Sequence, residues 1–571
     1  MAVFARRLIV LALLPLALAG AVEAQFRQPK PAHDGLVVSD HYLASEVGHA
    51  VLENGGNAVD AAVATGFALA VTHPAAGNIG GGGFLLLHRA DGTVTSFNFR
   101  ERAPLAATEN MYLDPSGEVR ANSNHDGPLS VGVPGTVAGL WLAHQSAGKL
   151  AWKDLVQPAI DLARDGFDVS WELRPFMQGL AKVDHPWYTE SRRVFLKDGR
   201  PYEAGERLAQ PDLARTLERI RDQGRDGFYR GETAALLTDF IERHGGILTQ
   251  EDLDRYQAVE QEPVRGTYRG YDIYGMAPPS SGGSTIIEML NILEDFDLAR
   301  LGHNSAAYLH LLAESMRRAF ADRAEFVGDP RFNPTMPLEE LLSKERAAKL
   351  RSSIDPQRAS KSSKSDFASA HLTDNEGEET THFSIVDGDG NAVALTYTIE
   401  YWYGSRMTVE GAGFLLNNEM GDFNPLPGRT SDRGLIGTPP NLAAPEKQML
   451  SSMSPTIVAK DGKPFLVIGS PGGRTIINTV LQVILNVIDH GMNVAEAIAA
   501  GRVHHQWLPD ELRVEKRGLS PDTTRLLEGL GHRLVFRDAQ GRAHGIRVDR
   551  ETGLRYGGSD PRAFNGGAVG E

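Results

Sequence analysis

The sharpest boundary in the chain falls at Thr380. Residues 352–379 (SSIDPQRASKSSKSDFASAHLTDNEGEE) carry no hydrophobic period and read as a mobile segment. Two strand-like runs, THFSIVD and AVALTYT, then follow on either side of the turn that begins at Asp387. That arrangement predicts a hairpin whose first strand starts at the boundary itself. The turn Asp387-Gly-Asp-Gly-Asn391 imitates the start of a calcium loop, which needs Gly at its sixth place and a carboxylate at its twelfth. Ala392 and Thr398 stand there instead, so a hairpin turn is the better reading.

Two adjacent threonines on this boundary allow two readings. They are an ordinary polar strand start, or Thr380 is a nucleophile. A threonine hydroxyl is weak unless a base lies within reach. A chain cut just before Thr380 would supply one, its own α-amine, with a pKa of roughly 7.7–8.

At 571 residues the length suggests roughly three or four structural units, and 41% hydrophobic with 23% charged residues is a globular composition. A net charge of −15 without a visible Lys/Arg cluster argues against nucleic acid as a partner. The absence of cysteine excludes disulfides, thiol catalysis and thiolate metal sites. Arg6-Arg7, the apolar run from Leu8 to Ala19 and the small residues of Val22-Glu23-Ala24 predict a signal peptide over 1–24. Export to the periplasm or beyond, with no stable membrane anchor, is the expectation.

Residues 37–71 are α/β-like, with helical spacing on both sides of Asn54-Gly-Gly-Asn57. FLLLHRADGTVTSFNFR (84–100) predicts a hairpin turning at Ala90-Asp91-Gly92. Residues 140–350 predict mostly helix, interrupted by a glycine-rich turn at 278–284, and the chain after Thr380 is β-rich, then α/β. GNIGGGG (77–83) and GSPGGR (469–474) lack the spacing of nucleotide-binding loops. Close backbone packing explains the first; in the second, successive N–H groups can face a developing negative charge. His504-His505 lack metal-ligand spacing, and no G-x-S-x-G elbow occurs.

Several long motifs, in order along essentially the whole mature chain, resemble the γ-glutamyltransferases (γ-glutamyl transpeptidases, glutathione hydrolases). They are ASEVGHAVLENGGNAVDAAVA (44–64), FRERAP (99–104), Thr380-Thr-His382-x-Ser384, Gly390-Asn-x-Val393-Ala-x-Thr396-x-Thr398-Ile-Glu400, Tyr403-Gly404, LLNNEMGDF (415–423), LSSMSPTIV (450–458) and GSPGGR. The resemblance implies an N-terminal nucleophile hydrolase, an α/β (α+β) fold of four αββα layers with two stacked antiparallel sheets. It implies self-cleavage before Thr380 into fragments 25–379 and 380–571, which stay together as one intertwined heterodimer.

The resemblance also assigns the site. Thr380 is the nucleophile, Thr398 supports it, and Gly472 and Gly473 form the oxyanion hole. Arg100, Ser451 and Ser452 hold the donor's α-carboxylate; Glu400, Glu419 and Asp422 hold its α-ammonium. Donors are glutathione and other γ-glutamyl compounds, acceptors are water, amino acids or peptides, and no metal or cofactor is implied. Two departures stand out: Glu400 replaces an Asn common in relatives, and Arg433 replaces a gating Tyr within a lid-length loop (427–448). The rival within the fold is a cephalosporin or glutaryl-amide acylase, which Arg100 with its acids disfavours because a glutaryl donor has no ammonium. An uncleaved binding protein is the rival outside enzymology; intact Thr380, Thr398 and both glycines argue against it.

Overall fold

The computed structural model describes residues 27–363, 380–430 and 437–571. The expected signal peptide, Glu379 and Arg433 lie outside the described residues.

Two seven-stranded antiparallel sheets form the centre. The first runs in the order Gly567–Gly570, Gly35–Ser39, Thr381–Asp387, Ala392–Thr398, Gly82–His88, Val94–Phe99 and Val259–Gln261. The second runs Lys30–Ala32, Arg555–Ser559, His544–Val548, Lys463–Gly469, Thr456–Lys460, Tyr271–Gly275 and Val264–Tyr268.

The predicted hairpin is the middle of the first sheet, and side-chain alternation explains why it is buried on both faces. Phe383, Ile385, Val393, Leu395 and Tyr397 join the core under helices Ala58–Thr72 and Thr136–Ala147. On the opposite face Val386, Ala392 and Ala394 join the core that includes Ile457, Val467 and Ile546 of the second sheet. Helices Gly282–Leu293, Ala306–Phe326 and Thr475–Ile488 belong to that second core. The layer order is therefore αββα, as the resemblance implied.

Asp387 closes the hairpin. Its Oδ1 accepts from the Asn391 N–H at 2.9 Å, while Oδ2 accepts from the Ala58 N–H at 2.9 Å. The second bond places a carboxylate at the positive end of helix Ala58–Thr72, where an anion is stabilised. That helix is buried at every residue; its side chains are small or apolar except Asp60, whose carboxylate accepts from the N–H groups of Asn57, Lys149 and Leu150.

One expectation needed correction. The 140–350 stretch is mostly helical, but it also contains strands Val259–Gln261, Val264–Tyr268 and Tyr271–Gly275. These lie at or next to an edge of each sheet, and their exposed faces carry Glu260, Arg265 and Thr267. The turn between the last two is tight, with Arg269 and Gly270 at φ 48° and 76°.

Candidate active site

Thr380 immediately precedes the Thr381–Asp387 strand and is 3% exposed. Antiparallel register pairs Thr381 with Tyr397, so the end of the second hairpin strand returns to the start of the first. Thr380 Oγ1 donates to Thr398 Oγ1 at 3.4 Å, and Thr398 Oγ1 accepts the Glu400 N–H at 2.8 Å. GNIGGGG packs against this corner. A Cβ on Gly81 would fall 2.0 Å from the Thr398 carbonyl oxygen, and one on Gly83 would fall 2.5 Å from that of Thr396. The glycines are there because the neighbouring backbone leaves no room for a side chain.

Gly472 and Gly473 lie between strand Lys463–Gly469 and helix Thr475–Ile488, at φ 131° and 53°. The Thr475 N–H and hydroxyl both donate to the Gly472 carbonyl, at 3.0 and 2.6 Å, and the Ile476 N–H donates to that of Gly473 at 3.2 Å. The turn thus sits at the positive end of a long buried helix, a setting that favours negative charge. Its strand is held beside the Thr381–Asp387 strand at His382, whose Nδ1 would be 2.3 Å from a Cβ on Gly469. Burial keeps the His382 pKa well below the ordinary histidine value. Its ring nitrogens meet Thr396 Oγ1 at 2.8 Å and Ser384 Oγ at 3.0 Å, so it serves as a neutral pin between strands.

Arg100 directly follows the Val94–Phe99 strand and is 1% exposed. Asn98 and Gln448 fix its backbone: Asn98 Oδ1 accepts the Arg100 N–H, and Gln448 Nε2 donates to the Arg100 carbonyl, both at 3.0 Å. Its guanidinium pairs with Glu419 at 2.5 Å, with Asp422, and with Glu101 at 3.5 Å. Burial opposes the Arg100 charge, but Glu419, Asp422 and Glu101 outweigh it and hold the group cationic.

The acids show the complementary strain. Burial pushes Glu101 up to about 7 despite Arg100. Burial, with Asp422 and the other acids nearby, drives Glu400 and Glu419 well above the usual carboxylate range. Glu400 also holds a left-handed backbone, φ 75°, with its Oε1 3.4 Å from His125 Nδ1. Four carboxyl groups around one guanidinium crowd more acid than it can neutralise, so burial and mutual repulsion favour the protonated forms of Glu101, Glu400 and Glu419, and a cationic ligand would favour their ionisation.

Ser451 and Ser452 adjoin this cluster. Arg100 Nε donates to the Met449 carbonyl and Nη2 to that of Leu450, both at 3.4 Å. The Ser451 backbone pairs with the Pro279–Ser281 turn, and Ser452 Oγ accepts from Arg323 at 2.9 Å. The structure therefore brings eight of the predicted residues into two groups, Thr380–Thr398–Glu400 and Arg100–Glu419–Asp422 beside Ser451 and Ser452, with Gly472 and Gly473 in the separate turn before helix Thr475–Ile488. It differs from the expectation in one respect: Arg100 is ion-paired directly with two of the acids assigned to the ammonium. Sequence reasoning overlooked Glu101, His125, Asn98 and Gln448. Only Glu101 carried a signal, a second charge beside Arg100 at the end of an apolar strand.

Among the described residues one buried trio, His310, Glu314 and His532, has the spacing of a metal site. Glu314 is already engaged by Arg317 at 3.2 Å, Arg318 at 2.6 Å and the Ser360 N–H at 3.0 Å, and two arginines beside it disfavour a cation. His504 and His505 are buried and bonded within the protein, to Asn478 at 2.7 Å and to Asp510 at 3.3 Å.

A sequence-family profile described as gamma-glutamyltranspeptidase matches residues 44–570. The chain is 46% identical over 544 residues to the glutathione hydrolase proenzyme of Escherichia coli (strain K12), covering 95% of this chain and 93% of that one. It is 45% identical over 557 residues to the glutathione hydrolase proenzyme of Pseudomonas sp. (strain A14), covering 96% of each. In three dimensions it resembles the cephalosporin acylase from Bacillus halodurans, with a TM-score of 0.84 at 27% identity, over 98% of this chain and 99% of that one.

Proposed function

The chain belongs to the gamma-glutamyltranspeptidase family, and from that premise we propose how its residues act as a γ-glutamyltransferase and glutathione hydrolase. The observation that carries the reading is Thr380 at the head of a buried strand, with Thr398 at 3.4 Å as its hydroxyl partner.

Self-cleavage comes first. Thr380 Oγ attacks the Glu379 carbonyl carbon, the Glu379–Thr380 C–N bond breaks, and the acyl group passes to oxygen as an ester. Water hydrolyses the ester, leaving a carboxylate on Glu379 and a free α-amine and hydroxyl on Thr380. The products, 25–379 and 380–571, share both sheets: Gly35–Ser39 pairs with Thr381–Asp387, and Gly82–His88 with Ala392–Thr398. Those pairings support a heterodimer that stays together.

In turnover the α-amine, with a pKa of roughly 7.7–8, takes the Thr380 hydroxyl proton and passes it to the leaving amine. Gly472 and Gly473 donate to the oxyanion, a contribution typically worth about 2.7–4 kcal/mol per donor. Arg100, Ser451 and Ser452 bind the donor α-carboxylate, and Glu400, Glu419 and Asp422 bind the α-ammonium. Because Arg100 already pairs with Glu419 and Asp422, a donor zwitterion inserts into an existing set of ion pairs, its carboxylate on the arginine and its ammonium on the acids. The γ-glutamyl ester is then resolved by water or by an amino acid or peptide amine; no metal or cofactor enters the scheme. The apolar leader at residues 8–19 supports export to the periplasm or beyond.

The fold is shared with a cephalosporin acylase, so donor choice is the discriminating test. Release of p-nitroaniline from γ-glutamyl-p-nitroanilide, with little from the glutaryl analogue, is expected. Cleavage of the glutaryl compound alone would overturn the substrate assignment.

A further inference from the structure

A second buried carboxylate lies beside the nucleophile, apart from the acids around Arg100. Asp40 follows the Gly35–Ser39 strand, which pairs with the strand beginning at Thr381, and is 1% exposed. Its Oδ2 accepts from Thr381 Oγ1 at 2.8 Å. Its Oδ1 accepts from His544 Nε2 at 2.9 Å and lies 3.4 Å from Arg542 Nε.

Those partners reach the other parts of the site. The Arg542 N–H donates to Ser470 Oγ at 3.0 Å, two residues before Gly472. Gly541, at φ 70°, brings its Cα to 3.2 Å from where a Cβ on Gly472 would stand. His544 pairs across the sheet with Gly469, and its carbonyl accepts from Ser384 Oγ at 3.0 Å. The Arg542 guanidinium lies 4.8 Å from the ring centroid of Trp402, two residues after Glu400. One carboxylate therefore touches groups adjoining the nucleophile, the glycine turn and the loop that carries Glu400.

We propose that Asp40 is a positioning residue for the reaction at Thr380, orienting the nucleophile through Thr381 and locking the glycine turn and the Trp402 loop to it through Arg542 and His544. The inference rests on the reading of Thr380 as nucleophile. A buried carboxylate is a costly way to fill space, since an apolar or amide side chain fills it without desolvating a charge. A charge that binds several elements at once restricts their relative movement. Burial would favour a protonated Asp40, but His544 and Arg542 outweigh it and hold the pKa far below the usual carboxylate range.

The test compares Asp40→Asn, Thr381→Val, their double variant and Thr381→Ser, with Thr380→Ala as control, all as full chains. Measurements are kcat and KM on γ-glutamyl-p-nitroanilide, self-cleavage by denaturing gel, and melting temperature. Loss of one hydrogen bond to a charged group predicts a kcat about tenfold lower in Asp40→Asn and in Thr381→Val, with KM within about twofold of native. Self-cleavage slows in parallel. The double variant is no slower than Asp40→Asn alone, and Thr381→Ser recovers most of the kcat lost in Thr381→Val. Native kcat in Asp40→Asn and Thr381→Val overturns the proposal, as do losses that multiply in the double variant or a change confined to KM. If Asp40→Asn does not fold, the Thr381→Val and Thr381→Ser pair decides. An active Thr380→Ala would instead overturn the nucleophile reading.

Discussion

Arg100 Nη1 lies 2.5 Å from Glu419 Oε2, and neither side chain is more than 1% exposed. The ion pair is buried where a donor zwitterion is proposed to bind, so the protein holds both halves of the recognition in contact before substrate arrives. The two charges are mutually dependent: each would be costly alone in that environment.

Replacing Arg100 with Met removes the guanidinium that pairs with these acids and leaves Glu419 and Glu101 buried without it. Breaking a buried pair from one side typically costs about 3–5 kcal/mol, so the melting temperature should fall clearly. Loss of the carboxylate fork should also lower donor kcat/KM by about 100-fold or more. Arg100→Lys should be intermediate, since it keeps charge but not the fork. Thermal melts with steady-state kinetics check both; native stability and native KM in Arg100→Met would contradict the assignment.

Donor binding should depend on pH through the acid cluster. Burial raises Glu101 to about 7 and lifts Glu400 and Glu419 well above the usual range. An ammonium is held best by ionised carboxylates, so donor KM should fall as pH rises and Glu400 and Glu419 ionise above the usual carboxylate range. The stability effect has the opposite sense. A Glu raised in the folded state binds a proton that the unfolded chain has released, so its favourable contribution is present at low pH and lost as pH rises through about 7. Glu101→Gln should flatten the fall in melting temperature over that window. A pH-independent KM and an unchanged melting profile in Glu101→Gln would contradict this.

Gly472 has φ 131°, and a Cβ there would fall 2.5 Å from Thr475 Oγ1. Gly472→Ala should therefore twist the turn at the helix start and misdirect its N–H groups. Losing one oxyanion donor typically costs about 10²–10³ in kcat. Donor KM should change little, because the turn does not bind the zwitterion. Kinetics in which KM rises and kcat is kept would place the turn in ground-state binding instead.

The roles proposed for this site came from resemblance to a family; the residues themselves made legible only its local geometry, where the parts are contiguous in sequence. Thr380, His382 and Thr398 occupy one hairpin, whose alternation and DGDG turn announce the pairing that brings Thr398 back. Gly472 and Gly473 stand together before an apolar helical run. What stayed hidden depends on contacts between distant residues: Arg100 and Asp422 are 322 positions apart, and Asp40 and His544 are 504 apart. No periodicity reports such pairs. The Val264–Tyr268 and Tyr271–Gly275 hairpin was missed for a different reason: its strands are five residues each, and Gly266, Asp272 and Gly275 dilute the apolar signal within them.

The most direct test of the central claim is a denaturing gel of the purified full-length protein beside Thr380→Ala, with N-terminal sequencing of the smaller band. Two fragments for the native protein, the smaller beginning Thr-Thr-His, and one uncut, inactive chain for Thr380→Ala are the expected result. A native chain that remains whole while cleaving γ-glutamyl-p-nitroanilide, or a Thr380→Ala chain that still divides, would contradict it.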